Sequence, residues 1–582
     1  MTEAILVFAL AIGLGWPLGR YLAAVMRGDP MLRLDRASGW IERPLYRLLG
    51  TDPAHGMSWR GYAKAFALSN LVVGGLVWVL FMTQGWLPLN PDAIPNMRWD
   101  TALHTMVSFL TNTNQQHYSG QAQLSYLSQM VGIVGLQVIT PMMGLALVVA
   151  TLRALMGGRQ AMAPGRDPAT TAGSEADVGN YWADVIRASV RFMLPLCLLW
   201  SVLLTSQGVP STLGAGPTAT PVDASVEMKQ QKIPLGPVAP MVAAKQLGTN
   251  GGGWYGPNSA VPLENPTPLS NLLEMLAIIL IPVAVAFMVG PFTGRKKLTA
   301  LVFGSMLLMS VVSTGAGVLI EGHSAMAADH AAMDHAVMDP AVMEGKEVRF
   351  GVDSSALWAT LTTQTSNGSV NAMHDSLAPL SGLVTLGNML INAIWGGIGC
   401  GLQQFLVYLL LAVFLAGLMT GRTPELFGRK IEAPEVRLLS LLILLQPAVV
   451  LGFTALTLAL PQFTANSNPG FHGVSQVFYE YTSAYANNGS GFEGLGDATY
   501  WWNLTCTLVL ALGRYPALIV PLAVAASLAR KRHAPEGPGS LHIETPTFAL
   551  TVIAVIVILT LLQFMPALVL GPVAEHLSLA AH

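Results

Sequence analysis

Ten runs of apolar residues, most of them about 20 residues long, limit what this chain can fold into. They cover 4–24, 64–83, 125–150, 188–207, 271–292, 298–320, 377–419, 438–460, 504–529 and 547–570. Runs of that length match the ~30 Å hydrocarbon core of a bilayer. Charged residues make up only 11% of the 582 residues, against roughly 25% in a soluble domain. The sequence therefore predicts an all-α integral membrane protein with ten transmembrane helices. The seventh run is too long for one helix and is divided by Gly396-Gly397-Ile398-Gly399-Cys400-Gly401, so it reads as a span broken in the middle. The first run has Glu3 before it and no basic n-region, which predicts a retained helix and no cleaved signal peptide. Cys197, Cys400 and Cys506 lie in or beside apolar runs without metal-ligand spacing and read as free, packed thiols.

Basic residues orient the chain. With the N-terminus outside, 22 of the 30 Lys and Arg fall in the inner loops and six in the outer ones. Arg191 and Arg514 are the other two. Both termini are thus expected on the outer side.

Four outer loops differ from the rest. Each has an apolar stretch too short to span, followed by a polar Asn/Gly/Thr/Ser cluster: His104–Leu110, Met241–Leu247, Leu357–Thr363 and Val474–Tyr481. Measured between Asn114, Asn250, Asn367 and Asn488, the clusters recur at 136, 117 and 121 residues. Each lies between two spans, so the chain reads as a leading helix, four copies of span, re-entrant segment and span, and an appended tenth helix. Irregular backbone at membrane depth is tolerated where protein buries it or water reaches it. Four such loops around one axis can replace the hydration shell of a potassium ion with carbonyl oxygens. The clusters hold no carboxylates, which disfavours a calcium-type ring. The first copy departs from the others, with Asn114-Gln115-Gln116 in place of Asn-Gly.

Longer motifs carry a family resemblance. Ser108-Phe109-Leu110-Thr111-Asn112-Thr113-Asn114 with Tyr118-Ser119-Gly120, and Leu247-Gly248-Thr249-Asn250-Gly251-Gly252-Gly253, resemble the KdpA family, the potassium-binding subunits of Kdp ATPases. So do Ala372-Met373-His374-Asp375-Ser376, Gly421-Arg422-Thr423-Pro424-Glu425 and Leu570-Gly571-Pro572-Val573-Ala574-Glu575. The resemblance runs almost end to end. It implies the superfamily of K+ transporters, with four membrane-pore-membrane repeats around one potassium-channel-like filter. Carried over position by position, the filter falls on Thr111, Asn112, Thr113, Asn114 and Gln116, then Thr249, Asn250 and Gly251. It continues on Ser366, Asn367 and Gly368, and on Asn487, Asn488 and Gly489. The resemblance also implies a KdpB-like P-type ATPase partner and KdpC-like and KdpF-like small subunits, in the inner membrane of a bacterium.

Other features have a plainer role beside the functional one. Gly396, Gly397, Gly399 and Gly401 read either as a packing kink or as a gate below the filter, and the resemblance to an obstructing intramembrane loop supports the gate. Arg514, the one charge assigned deep within a span, reads either as half of a salt bridge or as a pore charge that stops ions passing straight through. Arg191 reads as an interfacial anchor that snorkels. The His- and Met-rich segment His323–Met343 reads as a solvated linker, with soft-metal binding as the other option. Glu493 reads as a cation-attracting carboxylate at the entrance or as a plain surface acid. There is no Walker A pattern and no Asp followed by Lys, so the phosphorylation motif of a P-type ATPase is missing.

The expected organisation is a leading helix with its inner loop (1–60), repeats at 61–150, 151–290, 291–420 and 421–530, and a final helix (531–582). The expected function is potassium selection within an ATP-driven uptake complex, with K+ as cargo, no organic cofactor, no nucleic acid and ATP hydrolysis on a partner chain. A Trk/Ktr-type channel subunit shares the repeat plan, and a membrane scaffold without an ion path would explain the spans but not the four polar loops.

Overall fold

The computed structural model describes residues 2–29, 31, 38–159, 162, 176–223, 228–323, 342–534 and 541–580. Among them, ten helices are long and apolar enough to cross a membrane: Thr2–Arg27, Trp59–Trp86, Ser128–Leu155, Tyr181–Ser206, Pro268–Thr293, Lys296–Gly322, Cys400–Thr420, Ala433–Leu458, Tyr500–Ala529 and Pro546–Leu579. They are called spans one to ten. Each expected run corresponds to one of them. Four shorter helices, Trp99–Leu110, Val238–Leu247, Gly351–Gln364 and Gly470–Tyr485, fall between spans 2 and 3, 4 and 5, 6 and 7, and 8 and 9. These are the pore helices. Most of His323–Met343, residues 324–341, lies outside the described residues.

Burial separates the two spans of each repeat. In spans 2, 4, 6 and 8, 39% of the apolar window is buried within the chain, against 83, 83, 67 and 50% in spans 3, 5, 7 and 9. The closing spans therefore form an inner ring around the pore helices, and the opening spans form an outer one. Exposed Leu71, Leu76, Leu198, Val202, Leu441 and Leu444 lie on the outer spans, where lipid tails suit them and every backbone group is satisfied within the helix. Span 1 docks on span 5 through Gly15 and Gly19. A Cβ at Gly15 would lie 2.6 Å from Val283, and one at Gly19 would lie 2.6 Å from the Ala284 carbonyl. Glycines four apart let the two backbones approach closely, the small-xxx-small device of membrane helices.

Span 7 is broken as expected. A half-helix, Pro379–Ile391, ends in left-handed Asn392 (φ 45°), and the helix resumes at Cys400.

Two expectations about charge need correcting. Arg191 does not snorkel: its guanidinium forks onto the carboxylate of buried Glu42, at 2.5 and 2.8 Å. Nor is Arg514 the one charge within the spans. Glu274 is fully buried in span 5, and Arg153 in span 3 pairs with Asp184 in span 4 at 2.5 Å. These groups sit among polar partners from other elements, which a linear apolar pattern does not register.

Candidate functional site

The four pore helices end alike. After the last turn comes a left-handed, non-glycine residue: Asn112 (φ 57°), Thr249 (49°), Ser366 (48°) or Asn487 (53°). The next amide donates back over the helix end: Thr113 N to Ser108 O (2.8 Å), Asn250 N to Lys245 O (3.0 Å), Asn367 N to Thr362 O (3.0 Å) and Asn488 N to Ser483 O (2.9 Å). This is a Schellman-type closure, built four times at a conformation that costs about 1–3 kcal/mol without glycine. Strain repeated at equivalent positions indicates a constraint on the loops beyond simple turning. Four helix C-termini converging on one place also bring their negative dipole ends together, which favours a cation.

The geometry corrects the register of the first copy. Equivalent positions are Asn112, Thr249, Ser366 and Asn487, at steps of 137, 117 and 121 residues. Thr113, not Asn114, therefore matches Asn250, Asn367 and Asn488. Aligning by residue type slipped by one because the helix end, not the asparagine, defines the repeat. Asn114 then takes the place held elsewhere by Gly251, Gly368 and Gly489, at φ 82°, 83° and 101°.

The loops close on one another in order. A Cβ on Gly251 would lie 2.1 Å from Asn367 O, one on Gly368 2.0 Å from Asn488 O, and one on Gly489 1.7 Å from Asn114 Oδ1. No side chain fits at these three positions, because each backbone leans on its neighbour. The asparagines tie the joints: Asn250 Nδ2 donates to Thr113 O (3.1 Å), Asn367 Nδ2 to Lys245 O (3.2 Å) and Asn488 Nδ2 to Thr362 O (2.8 Å). Their Oδ1 atoms accept from the amides of Gly252, Ser369 and Ser490. Those side chains are thus spent on the wall. Among the described residues, the carbonyls of Asn250, Ser366, Asn367, Asn487 and Asn488 accept no hydrogen bond, and Asn114 Oδ1 is buried without a partner. Buried unpaired acceptors are costly unless something else satisfies them. Thr111 Oγ1 sits 2.9 Å from Thr113 Oγ1 and braces the first loop. Gln116 stands apart from this ring, clamping the main chain of Gly253 at 3.1 and 3.3 Å.

The glycine segment lies directly against this ring. Gly396, Gly397 and Gly399 have φ of 57°, 73° and 89°. A Cβ on Gly397 would lie 3.3 Å from Thr365 O, and Ile398 N donates to Thr249 Oγ1 at 3.2 Å. Gly401 leaves no room for a Cβ, which would fall 1.7 Å from Trp395 O. Asn392 reaches two of these loops, accepting from Ser366 Oγ (2.8 Å) and donating to Ala486 O (3.3 Å). Arg514 lies beside the segment, with Nη1 2.7 Å from Cys400 Sγ and Nη2 3.4 Å from Thr140 O. Among the described residues no carboxylate pairs with it, so its charge stays uncompensated next to the ring.

A family model described as KdpA, potassium-transporting ATPase A subunit, matches residues 5–577. The chain belongs to the KdpA family. Its relatives include a protein of Gloeobacter violaceus, 45% identical over 570 residues (96% of this chain, 95% of that one). Proteins of Bacteroides fragilis (42%) and Pseudomonas aeruginosa (44%) each match over 98% of both chains. All three are named potassium-transporting ATPase potassium-binding subunit. The potassium transporter TrkH of Vibrio parahaemolyticus is similar at 15% identity and a TM-score of 0.48, over 89% of this chain and 96% of that one.

In this KdpA chain, sequence reasoning missed the supports of the ring. Lys245 is fully buried and ion-paired to Glu264, with Asn258 Oδ1 at 2.7 Å and Ser259 Oγ at 2.6 Å. Its carbonyl accepts from Asn250 N, Gly251 N and Asn367 Nδ2, so one residue anchors two loops. A lysine inside an otherwise apolar pore helix was the available signal. Gln137 likewise donates to Gly252 O at 2.7 Å from span 3. Glu493 is no plain surface acid: its Oε2 accepts from the amides of His374 (2.7 Å) and Asp375 (3.1 Å), and it borders a cavity of about 780 Å³.

Proposed function

We propose that this chain is the potassium-binding and ion-conducting subunit of an ATP-driven, high-affinity potassium uptake complex. It selects K+ from the outer side and passes it toward a P-type ATPase partner. The observation that carries this reading is the ring of four like helix ends, with free carbonyls and glycines packed backbone to backbone. Carbonyl cages of this kind can replace a potassium ion's hydration shell. The names of the 42–45% identical relatives support it. In this reading Thr111–Asn114, Thr249–Gly251, Ser366–Gly368 and Asn487–Gly489 form the filter, and Gln116 positions its outer edge. The segment Gly396–Gly401 is the gate, and Arg514 blocks straight-through escape by repelling cations.

The motor lies on another chain, since this sequence has neither a Walker A motif nor Asp-Lys-Thr-Gly. KdpB-like, KdpC-like and KdpF-like subunits are the partners, in a bacterial inner membrane with both termini outside, as the basic loops suggest. The test is reconstitution of the purified chain alone in liposomes with ATP and no ion gradient. Specific K+ or Rb+ binding without ATP hydrolysis or accumulation is expected. Uphill accumulation by the single chain would overturn the assignment, and flux gated by a soluble nucleotide-binding partner would favour a Trk/Ktr-type channel subunit.

A further inference from the structure

Behind the first filter loop, a second group of side chains converges that the potassium pathway does not use. His117, three residues past Asn114, meets Glu480 of the fourth pore helix and Cys506 of span 9, and their ligand atoms lie within 4.8 Å of one another. All three are buried. Asp497 stands beside them, its Oδ2 3.9 Å from His117 Nε2.

The hydrogen bonds fix the state of His117. Asn503 Nδ2 donates to the Asp100 carboxylate at 2.8 Å, because a carboxylate only accepts. Asn503 Oδ1 is therefore the atom 2.8 Å from His117 Nδ1, and Nδ1 carries the hydrogen. In the neutral ring, Nε2 then presents a lone pair to Glu480 Oε1 at 3.3 Å, acceptor against acceptor. Something positive belongs between them. A proton would satisfy that pair alone and would not use the Cys506 thiol beside it. A divalent metal satisfies imidazole, carboxylate and thiolate together, and His/Cys/carboxylate is a zinc donor set. The surroundings have the form that supports a metal ligand. His117 donates its other N–H to an oriented oxygen backed by a carboxylate, and Gln115 Nε2 holds Glu480. His104 stacks on His117 at 3.8 Å, fully buried, with its Nδ1 unpartnered. His117 and Asp497 both border the 780 Å³ cavity, which gives an ion a way in.

We propose that His117 Nε2, the Glu480 carboxylate and Cys506 Sγ, with Asp497 as fourth ligand, form a site for a zinc-class divalent ion on the outer side of the membrane. Cys506 binds as the thiolate, and its proton leaves through the cavity. Ligand atoms around Zn2+ stand roughly 3.3–3.8 Å apart, so a small side-chain movement closes the set. Occupied, the site ties the first filter loop to the fourth pore helix and span 9. The ligand set does not rest on the potassium reading; its placement on the outer side rests on the proposed orientation.

The test measures metal in the full chain, purified in detergent, equilibrated with Zn2+ and freed of excess. One tightly held equivalent is expected. His117→Ala and the near-isosteric Cys506→Ser should each lose it, and Asn503→Ala should weaken it about 10–100-fold. Cd2+ should produce a thiolate charge-transfer band that Cys506→Ser abolishes. A double variant at His330 and His335 should keep the equivalent. Equal metal content in wild type, His117→Ala and Cys506→Ser would overturn the proposal, as would absence of the Cd2+ band or loss of the metal only in the His330/His335 variant.

Discussion

The amide side chain of Asn114 occupies the space beside Gly489: a Cβ on that glycine would lie 1.7 Å from Asn114 Oδ1 and 2.5 Å from Asn114 N. The same side chain is the near neighbour of Gly368, through Oδ1, and of Gly251, through Nδ2. One residue of the first repeat thus faces the glycines of the other three, and the ring is asymmetric because the first repeat brings a side chain where the rest bring none. Gly489→Ala and Gly368→Ala must push this group or the loops apart. Each is expected to weaken Rb+ or K+ binding at least about tenfold, since a displaced carbonyl no longer fits the ion. Tracer binding by folded protein is the measurement. Unchanged affinity in both variants, and in Gly251→Ala, would remove the filter assignment.

Arg514 makes a different prediction, because its guanidinium has a thiol and a carbonyl as neighbours and, among the described residues, no carboxylate. A central arginine costs at least ~2.5–3.5 kcal/mol to place in a membrane. Arg514→Met should therefore fold at least as stably as the parent while losing the charge beside the Gly396–Gly401 segment. Passive potassium flux into liposomes is expected to rise about tenfold or more, the order of change produced by removing roughly 1.4 kcal/mol of barrier. A tight, unchanged membrane would assign the barrier to the Gly396–Gly401 segment alone.

Lys245 and Glu264 form a fully buried pair behind the Thr249–Gly251 loop. Breaking such a pair by removing one partner leaves an uncompensated charge and costs about 3–5 kcal/mol. Lys245→Met is expected to lower thermal stability strongly, and Lys245→Met combined with Glu264→Gln should recover much of the loss. The carbonyl of Lys245 anchors loops two and three, so the single variant should also weaken ion binding. Differential scanning fluorimetry in detergent separates the two effects: a single variant as stable as the double one would mean the pair is not a unit.

The spans and the four pore segments were legible because apolar run length and polar loop composition are local properties of the sequence. The broken seventh span was legible for the same reason, as glycines cluster where the helix stops. What escaped was lateral. Asn392 bridging Ser366 and Ala486, Lys245 reaching Asn367, and Glu42 meeting Arg191 join residues from 26 to 149 positions apart. Nothing in a single sequence marks such partners. The one-residue slip in the first repeat has a similar origin. Asn114 looks like Asn250 as a letter, but the turn that ends each helix counts from Asn112.

His472, at the start of the fourth pore helix, gives a pH dependence with a definite sign. Its Nε2 lies 2.8 Å from Asp375 Oδ1 and its Nδ1 2.8 Å from Glu575 Oε1, so the ring joins the loop that follows the third pore helix to the end of the last helix. Hydrogen bonds to Asp375 and then to Glu575 push the imidazole up to about 10. The native state keeps a proton that the unfolded chain releases near 6.5. The stabilisation is therefore complete below about 6.5, declines as pH rises toward 10, and is lost above it. His472→Gln removes the charge and is expected to cost about 2 kcal/mol at pH 5.5–6, the scale of hydrogen bonds to charged groups, and little near pH 10. The check is the difference in unfolding temperature between parent and variant across that range. A difference that grows with pH would contradict the sign, and a constant one would mean His472 acts through packing and not through its proton.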